Sequence, residues 1–480
     1  MKQLIIGIDG GDEQHIRRLP MPYLNQLLDS QCCMKLTEDL LSRGWVEILS
    51  GKHARDTKAF YMVAQCDKTN DIKFKYSLSE LLSNKEVKPI WQLPGGEKRV
   101  GMMNVPTTFP VPEVNGFFVS GAGGGVNKVD GIPPELCHPK EIAEQLLDMG
   151  YKIDLRFGTA GIKKIPELFE RLCEMLSKRA DAFEILSDKY DPEFGFVTFR
   201  APTVIQYLAM SELESYFERN NGRNTAHEST EMWKNGIDRL YRVLDECIKK
   251  VVEKTNPEHW IITSDHGAVP YRYRLNIDRF LQDFGYQTYR TDALRSLKEF
   301  YRCTTRKLPF VTKRQVKPSQ MTAFGHWYFT GIFVNDSQRF GGPVAPIEIN
   351  QYVDRICEDF NSTQEAKQYD MTAKPYRSLH PNSKYNAHLP DVKIHCSDEI
   401  FFSKFHGPFV RENPDYCPLP SIANVRGGMH SGQKGRHPLF CCDSKTATLI
   451  EEKDPTDSTI GLHAYRTNIL LLAKTWSTSS

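Results

Sequence analysis

Lys2-Gln-Leu-Ile-Ile-Gly-Ile-Asp9-Gly10-Gly11 opens the chain with an unbroken apolar run that stops at an acid and two glycines. A short run without polar alternation reads as a strand buried on both faces, the signature of a mostly parallel sheet. Similar runs occupy Arg99 to Val105, Phe117 to Ser120, Phe194 to Phe199 and His259 to Thr263. Between them the apolar residues recur at helical spacing, over Met21 to Leu28, Pro139 to Leu147, Pro166 to Leu186 and Thr230 to Val252. In Pro166 to Leu186 the proline suits a first helical position, and Leu168, Leu172, Met175, Leu176, Phe183 and Leu186 form one stripe, read as core. Strands alternating with helices predict an α/β fold, a doubly wound mostly parallel sheet.

From about Ser296 to Leu419 this pattern loosens, apart from the short run Gly331 to Asn335 and a helix near Ile349 to Phe360. The expected division is therefore a main core over 1–295, an inserted cap over 296–419, and a C-terminal part of the core over 420–480.

In an open α/β sheet the ligand crevice lies beyond the carboxyl ends of the strands. Two acidic stops fall at such ends: Asp9, and Ser264-Asp265-His266-Gly267 after the run His259 to Thr263. Two carboxylates and an imidazole supply oxygen and nitrogen ligands for a divalent ion. Either stop alone also fits a plain turn or a helix cap; the two together point to a metal.

These residues and their order resemble the alkaline phosphatase superfamily, in its type I phosphodiesterase and nucleotide pyrophosphatase branch. The match runs through Ile8-Asp9-Gly10-Gly11, the Pro22-to-Leu28 helix, Gly44-Trp45-Val-Glu-Ile-Leu-Ser50-Gly51, Val100 to Pro110 with Asn104, Asn115 to Gly121, Ser264 to Gly267 and Gly331 to Gly342. The resemblance implies an alkaline phosphatase-like fold, a divalent metal, zinc or manganese, and hydrolysis of a small phosphorylated or nucleotide-like substrate. It implies Asp9, Asp265 and His266 as metal ligands, with a further ligand from His430 or His437. The family's nucleophile precedes the tryptophan by three or four residues, which here means Leu41 or Ser42, and only Ser42 can attack. Ser42 also reads as a plain helix N-cap. Arg43, adjoining Ser42, reads either as a partner for a phosphate oxygen or as an ordinary surface arginine, and Asn104 is the other candidate substrate-binding residue.

One departure stands out. Where the family carries an aspartate and, four residues later, a histidine, this chain has Thr203 and Tyr207. A hydroxyl and a phenol are poor ligands at neutral pH. The site is therefore expected to hold a single ion, to recruit His227, His326 or one of the terminal histidines, or to have lost catalysis and kept binding.

Composition narrows the rest. Among 480 residues, 62 Lys and Arg face 60 Asp and Glu, which leaves no basic footprint for a nucleic-acid coat. Apolar runs fall short of the roughly 18 residues a membrane span needs. Of the twelve cysteines, Cys32-Cys33 and Cys441-Cys442 are adjacent but none forms C-x-x-C, so reduced thiols and a cytoplasmic location are expected. The glycine run Gly121 to Gly125 lacks the lysine of a P-loop, and the basic cluster Arg302 to Arg314 reads as a solvated surface. Homo-oligomerisation is left open.

Overall fold

The computed structural model describes residues 1–33, 35–37, 39–73, 76–92, 98–121, 132–155, 162, 164–220, 228–287, 321–325, 331–402, 407–417, 419, 422, 429–451 and 459–461. His227, His326, Ala122 to Gly125 and Arg302 to Arg314 lie outside them. The chain divides into two compact units: Met1–Tyr61, Phe74–Arg272 and Asn413–Ser480 form the first, Met62–Lys73 and Tyr273–Glu412 the second. The second unit thus begins earlier than the cap expected from the sequence, and draws in a short stretch after Tyr61.

The first unit is built on an eight-stranded sheet. Its spatial order is Cys32–Cys33, Phe440–Cys442, His259–Thr263, Gln3–Ile8, Phe194–Phe199, Val100–Val105, Gly116–Ser120 and Cys137–His138. The five inner strands pair in parallel, and the strands at both edges pair antiparallel. The opening run is the middle of this sheet and is buried on both faces, as its composition requires. Leu4, Ile6 and Ile8 enter one core with the helices Pro22–Ser30, Ile165–Tyr190 and Glu228–Thr255. Ile5 enters the opposite core with Trp45, Ile48 and Trp91. The alternation repeats in Phe196 against Val197 and in Ile261 against Ile262, because successive side chains of a strand point to opposite faces.

Register is what positions the chemistry. Gly7 is level with Thr263 on one side and Thr198 on the other. Two residues further on, Asp9, Asp265 and Arg200 therefore leave the sheet at the same height, and the Asp9 amide still donates to the Phe199 carbonyl at 2.9 Å. Gly10 then turns the chain at φ +74°, where an added Cβ would lie 2.3 Å from Gln206 Oε1. Only glycine meets both demands.

The second unit carries its own sheet, ordered Ala323–Gly325, Gly331–Val334, Val392–His395 and Thr372–Pro375, packed with the helix Ile349–Ser362 around a separate apolar core. Arg339 bridges Asp336 and Asp391 at 2.5 and 2.7 Å, and Arg377 takes the other oxygen of Asp391. Among the described residues no helix is long and apolar enough to cross a membrane.

Candidate metal centre

Asp9, Asp265 and His266 come together at the carboxyl ends of the strands Gln3–Ile8 and His259–Thr263, with one ligand atom of each within 4.8 Å of the others. All three are buried. His266 Nε2 lies 3.8 Å from Asp9 Oδ1 and 3.6 Å from Asp265 Oδ2. The ring is fixed by Nδ1, which donates to the Gly267 carbonyl at 2.6 Å, so Nε2 presents its lone pair.

Each carboxylate is held differently. Asp9 accepts from Trp45 Nε1 at 2.9 Å and lies 3.5 Å from Arg200 Nε. Burial works to raise its pKa, but Arg200, His266, Lys434 and the Trp45 hydrogen bond outweigh it and hold Asp9 below the usual carboxylate value. Asp265 goes the other way: burial, then the charge of Asp9, push it well above the usual value. Its Oδ1 is buried and has no hydrogen-bond partner among the described residues. Burial also depresses the His266 pKa against the pull of Asp9, keeping the imidazole neutral.

A partnerless buried carboxylate oxygen beside a second carboxylate and a neutral imidazole is a donor set that fits a divalent ion. These are hard-to-borderline ligands, already backed by outer hydrogen bonds from Trp45 and to Gly267.

The surroundings explain the sequence motif. Gly44 starts the helix Gly44–Ser50 against Asp265, with an added Cβ only 2.3 Å from the Asp265 carbonyl. Gly7 leaves room for Trp45 to lie across the sheet. The Ser264 hydroxyl donates to the Gly11 carbonyl at 2.6 Å and accepts from the Leu439 amide at 2.7 Å, tying the two acidic turns together.

The other expected site residues have partners of their own. Ser42 is fully buried, and its hydroxyl accepts from the Ala54 amide at 3.1 Å. It is not the helix cap either, because the N-cap position belongs to Arg43. The Arg43 guanidinium donates to the carbonyls of Phe60 and Tyr61 at 3.2 and 3.3 Å and faces the Tyr61 ring. Asn104 is fully buried at φ +59°, with its amide between Arg179 and the Ile153 carbonyl, so it braces strand ends. His430 is half-buried: its amide donates to the Tyr207 carbonyl at 2.9 Å, and Nε2 lies 3.9 Å from Asp415. His437 is exposed. Neither joins the triad among the described residues.

Thr203 and Tyr207 flank the triad on the helix Ala201–Asn220, whose first turn packs against Gly10. Thr203 Oγ1 is buried without a partner among the described residues. The Tyr207 hydroxyl lies 3.2 Å from His266 Nε2.

Two cations went unnoticed in the sequence. Arg200 pairs with Asp154 as well as Asp9. Lys434, on the strand Gly432–Gly435 that pairs with Gly267–Pro270, lies 3.5 Å from Asp265 Oδ2 and contacts the Tyr61 hydroxyl. Arg200 is the first residue after an apolar strand, a position that could have drawn attention. Lys434 carries no local signal, since pairing across more than 160 residues puts it there.

The solved structures bear on the fold. Phosphonoacetate hydrolase from Sinorhizobium meliloti 1021, in complex with phosphonoformate, superposes with a TM-score of 0.52 at 8% identity, covering 99% of this chain and 95% of that one. The same hydrolase with phosphonoacetate gives 0.50 over the same shares. An inactive murine ectonucleotide pyrophosphatase/phosphodiesterase 5 with AMP gives 0.46 at 12% identity, over 99% and 95%. No protein-family model matches the chain, and no curated protein matches its sequence. The chain shares the fold of this phosphonoacetate hydrolase, which is the alkaline phosphatase-like α/β fold expected from its motifs.

Proposed function

We propose that the chain is a metal-dependent hydrolase of phosphoester bonds in a small, nucleotide-like molecule. The observation that carries this reading is the buried Asp9–Asp265–His266 group, with its partnerless Asp265 oxygen, at the carboxyl end of the sheet. A divalent ion, zinc or manganese, held by these three residues supplies Lewis-acid polarisation of the phosphoryl group. Trp45 orients Asp9 and helps keep it ionised. Gly267 fixes the His266 tautomer through Nδ1. Ser42 is the nucleophile of this reading: its oxygen bonds to phosphorus as the ester bond breaks, the serine's proton passes to the leaving oxygen, and water then cleaves the seryl–phosphoryl bond, releasing phosphate and returning a proton to Ser42. Ser42 is fully buried, so that attack requires an opening through which substrate reaches its hydroxyl.

The test is elemental analysis of the purified protein together with hydrolysis of a panel of phosphomonoesters and phosphodiesters. A single bound divalent ion with metal-dependent turnover is the expected result, and Ser42→Ala is expected to abolish turnover while metal still binds. Unchanged hydrolysis in that variant removes Ser42 from the mechanism. Absence of both metal and turnover overturns the proposal.

A second reading keeps the fold as a ligand-binding module without catalysis. It is favoured by the engagement of Ser42 with Ala54 and of His266 Nε2 with Tyr207. Bound metal without turnover on any substrate of the panel selects it.

A further inference from the structure

We infer that Cys33 and Cys441 form a redox-active dithiol that closes reversibly to a disulfide, a modification site that stands apart from the metal centre. Cys32–Cys33 is an edge strand of the eight-stranded sheet and runs antiparallel to Phe440–Cys442, with Cys33 directly opposite Cys441. Directly opposed residues of an antiparallel pair have Cα atoms about 4.5–5.5 Å apart, inside the span that a disulfide bridges. The two side chains share a face. Cys441 belongs to the core that holds Leu24 and Leu28, and Cys33 packs against it, whereas Cys442 enters the opposite core. Both thiols also reach the same end of the helix Pro22–Ser30, where Cys33 donates to the Leu28 carbonyl at 3.5 Å and Cys441 to the Leu27 carbonyl at 3.8 Å.

Burial divides the roles. Cys33 is half-buried and Cys441 fully buried, so an oxidant meets Cys33 first. Hydrogen bonding with the Cys441 thiol holds the Cys33 pKa below the usual thiol value, against burial, which favours the thiolate that reacts. With a small disulfide such as oxidised glutathione, the Cys33 thiolate attacks one sulfur, forming a mixed disulfide and releasing one glutathione thiolate. Cys441 gives its proton to that thiolate and attacks the Cys33 sulfur. The second glutathione leaves as a thiolate and takes from solvent the proton that Cys33 had released there. Two electrons and two protons thus pass from the cysteine pair to oxidised glutathione, which ends as two thiols. Oxidation orphans neither helix carbonyl: Leu27 still accepts from the Gln31 amide at 2.9 Å, and Leu28 from Arg17 Nη2 at 3.3 Å. The two S–H donors that are lost are weak ones. The bridge pins an edge strand near the start of the chain to a strand near its end.

Peptide mapping tests this on the full chain, kept folded in a buffer of reduced and oxidised glutathione and then blocked with N-ethylmaleimide. The expected result is a peptide pair that joins Cys32-Cys33 to Cys441-Cys442 and is lost again when the protein is returned to dithiothreitol. Cys32→Ala and Cys442→Ala are expected to keep the link, and Cys33→Ala and Cys441→Ala to abolish it. Cys441→Ala is also expected to accumulate glutathione on Cys33, because the thiol that would displace it is gone. Packing alone does not produce that trapped intermediate. Absence of the link in the wild type overturns the inference, with the exposed Cys417 as the control that the oxidant reaches the protein. A link that forms only in urea overturns it, as does one that survives in Cys33→Ala or Cys441→Ala. Glutathione that persists on Cys33 of the wild type overturns it too, since Cys441 then fails to displace it.

Discussion

The Tyr207 hydroxyl donates to His266 Nε2 across 3.2 Å, and the two rings stack 9° from parallel with centroids 6.0 Å apart. Since Nδ1 is committed to the Gly267 carbonyl, Nε2 is the nitrogen a metal would take, and the phenol stands on it. A cation arriving there must displace that hydrogen bond. Tyr207→Phe keeps the stacked ring and removes the hydroxyl, so metal affinity is expected to rise roughly fivefold, corresponding to about 1 kcal/mol for a neutral hydrogen bond. Calorimetric titration with zinc or manganese measures it, and an affinity that falls in the variant removes this competition from the account.

Asp265 is the carboxylate that suffers without an ion. Its folded pKa is raised above the model-compound value of 3.8, by burial first and by the Asp9 charge second. The sign follows directly: its contribution to stability is full below about pH 3.8 and is lost as pH rises through the folded value. Asp265→Asn removes that loss. In chelator at pH 7 the variant is expected to be more stable than the wild type, and metal is expected to raise its Tm no further. Urea unfolding across a pH series, with and without metal, reads both effects.

The same shift links metal binding to protons. An ion must meet an ionised Asp265, so binding releases the proton that burial retains, and affinity is expected to rise with pH until the raised pKa is passed. His266 adds little to this above pH 6.5, because burial holds its pKa below that value. Titrations in two buffers of different ionisation enthalpy count the protons. Identical heats in both would mean that Asp265 is already ionised.

How much of this could be read from the sequence depends on whether the signal was local. The strands Phe194–Phe199 and His259–Thr263 match their apolar runs residue for residue, because a continuous run bounded by polar residues has one economical conformation. Asp9, Asp265 and His266 were legible as strand stops, and parallel pairing does the rest. The helix Ala201–Asn220 differs little in polarity from face to face, so helical periodicity does not mark it in the sequence. Trp45 was visible as a motif residue, but its hydrogen bond to Asp9 depends on how the helix Gly44–Ser50 crosses the sheet. Lys434 reaches Asp265 only through a ribbon closed late in the chain, and no local pattern encodes that meeting.

Gly7 is a case where a small residue carries a site requirement. A Cβ there would lie 2.5 Å from Trp45 Cη2 and 2.7 Å from Thr198 Oγ1. The Trp45 ring cannot yield without withdrawing Nε1 from Asp9. Gly7→Ala is expected to cost about 1–3 kcal/mol through overpacking and to weaken metal binding at the same time. Thermal unfolding and metal titration check the pair of effects; a loss of stability with intact metal affinity would show that Asp9 holds its place without Trp45.

Arg179 supports the site from beneath. It is fully buried, and among the described residues it donates to the carbonyls of Thr198, Lys152 and Ile153 at 3.1, 3.2 and 2.8 Å, with the Asn104 amide beside it. Thr198 is two residues before Arg200, and Ile153 immediately precedes Asp154, the acid that holds Arg200. One guanidinium therefore fixes both sides of the Arg200–Asp154 pair. Arg179→Met keeps most of the apolar volume and strips three buried carbonyls of their donor, so the expected destabilisation is roughly 3 kcal/mol or more. Urea unfolding measures the loss, and a variant as stable as the wild type would remove Arg179 from the support of these strand ends.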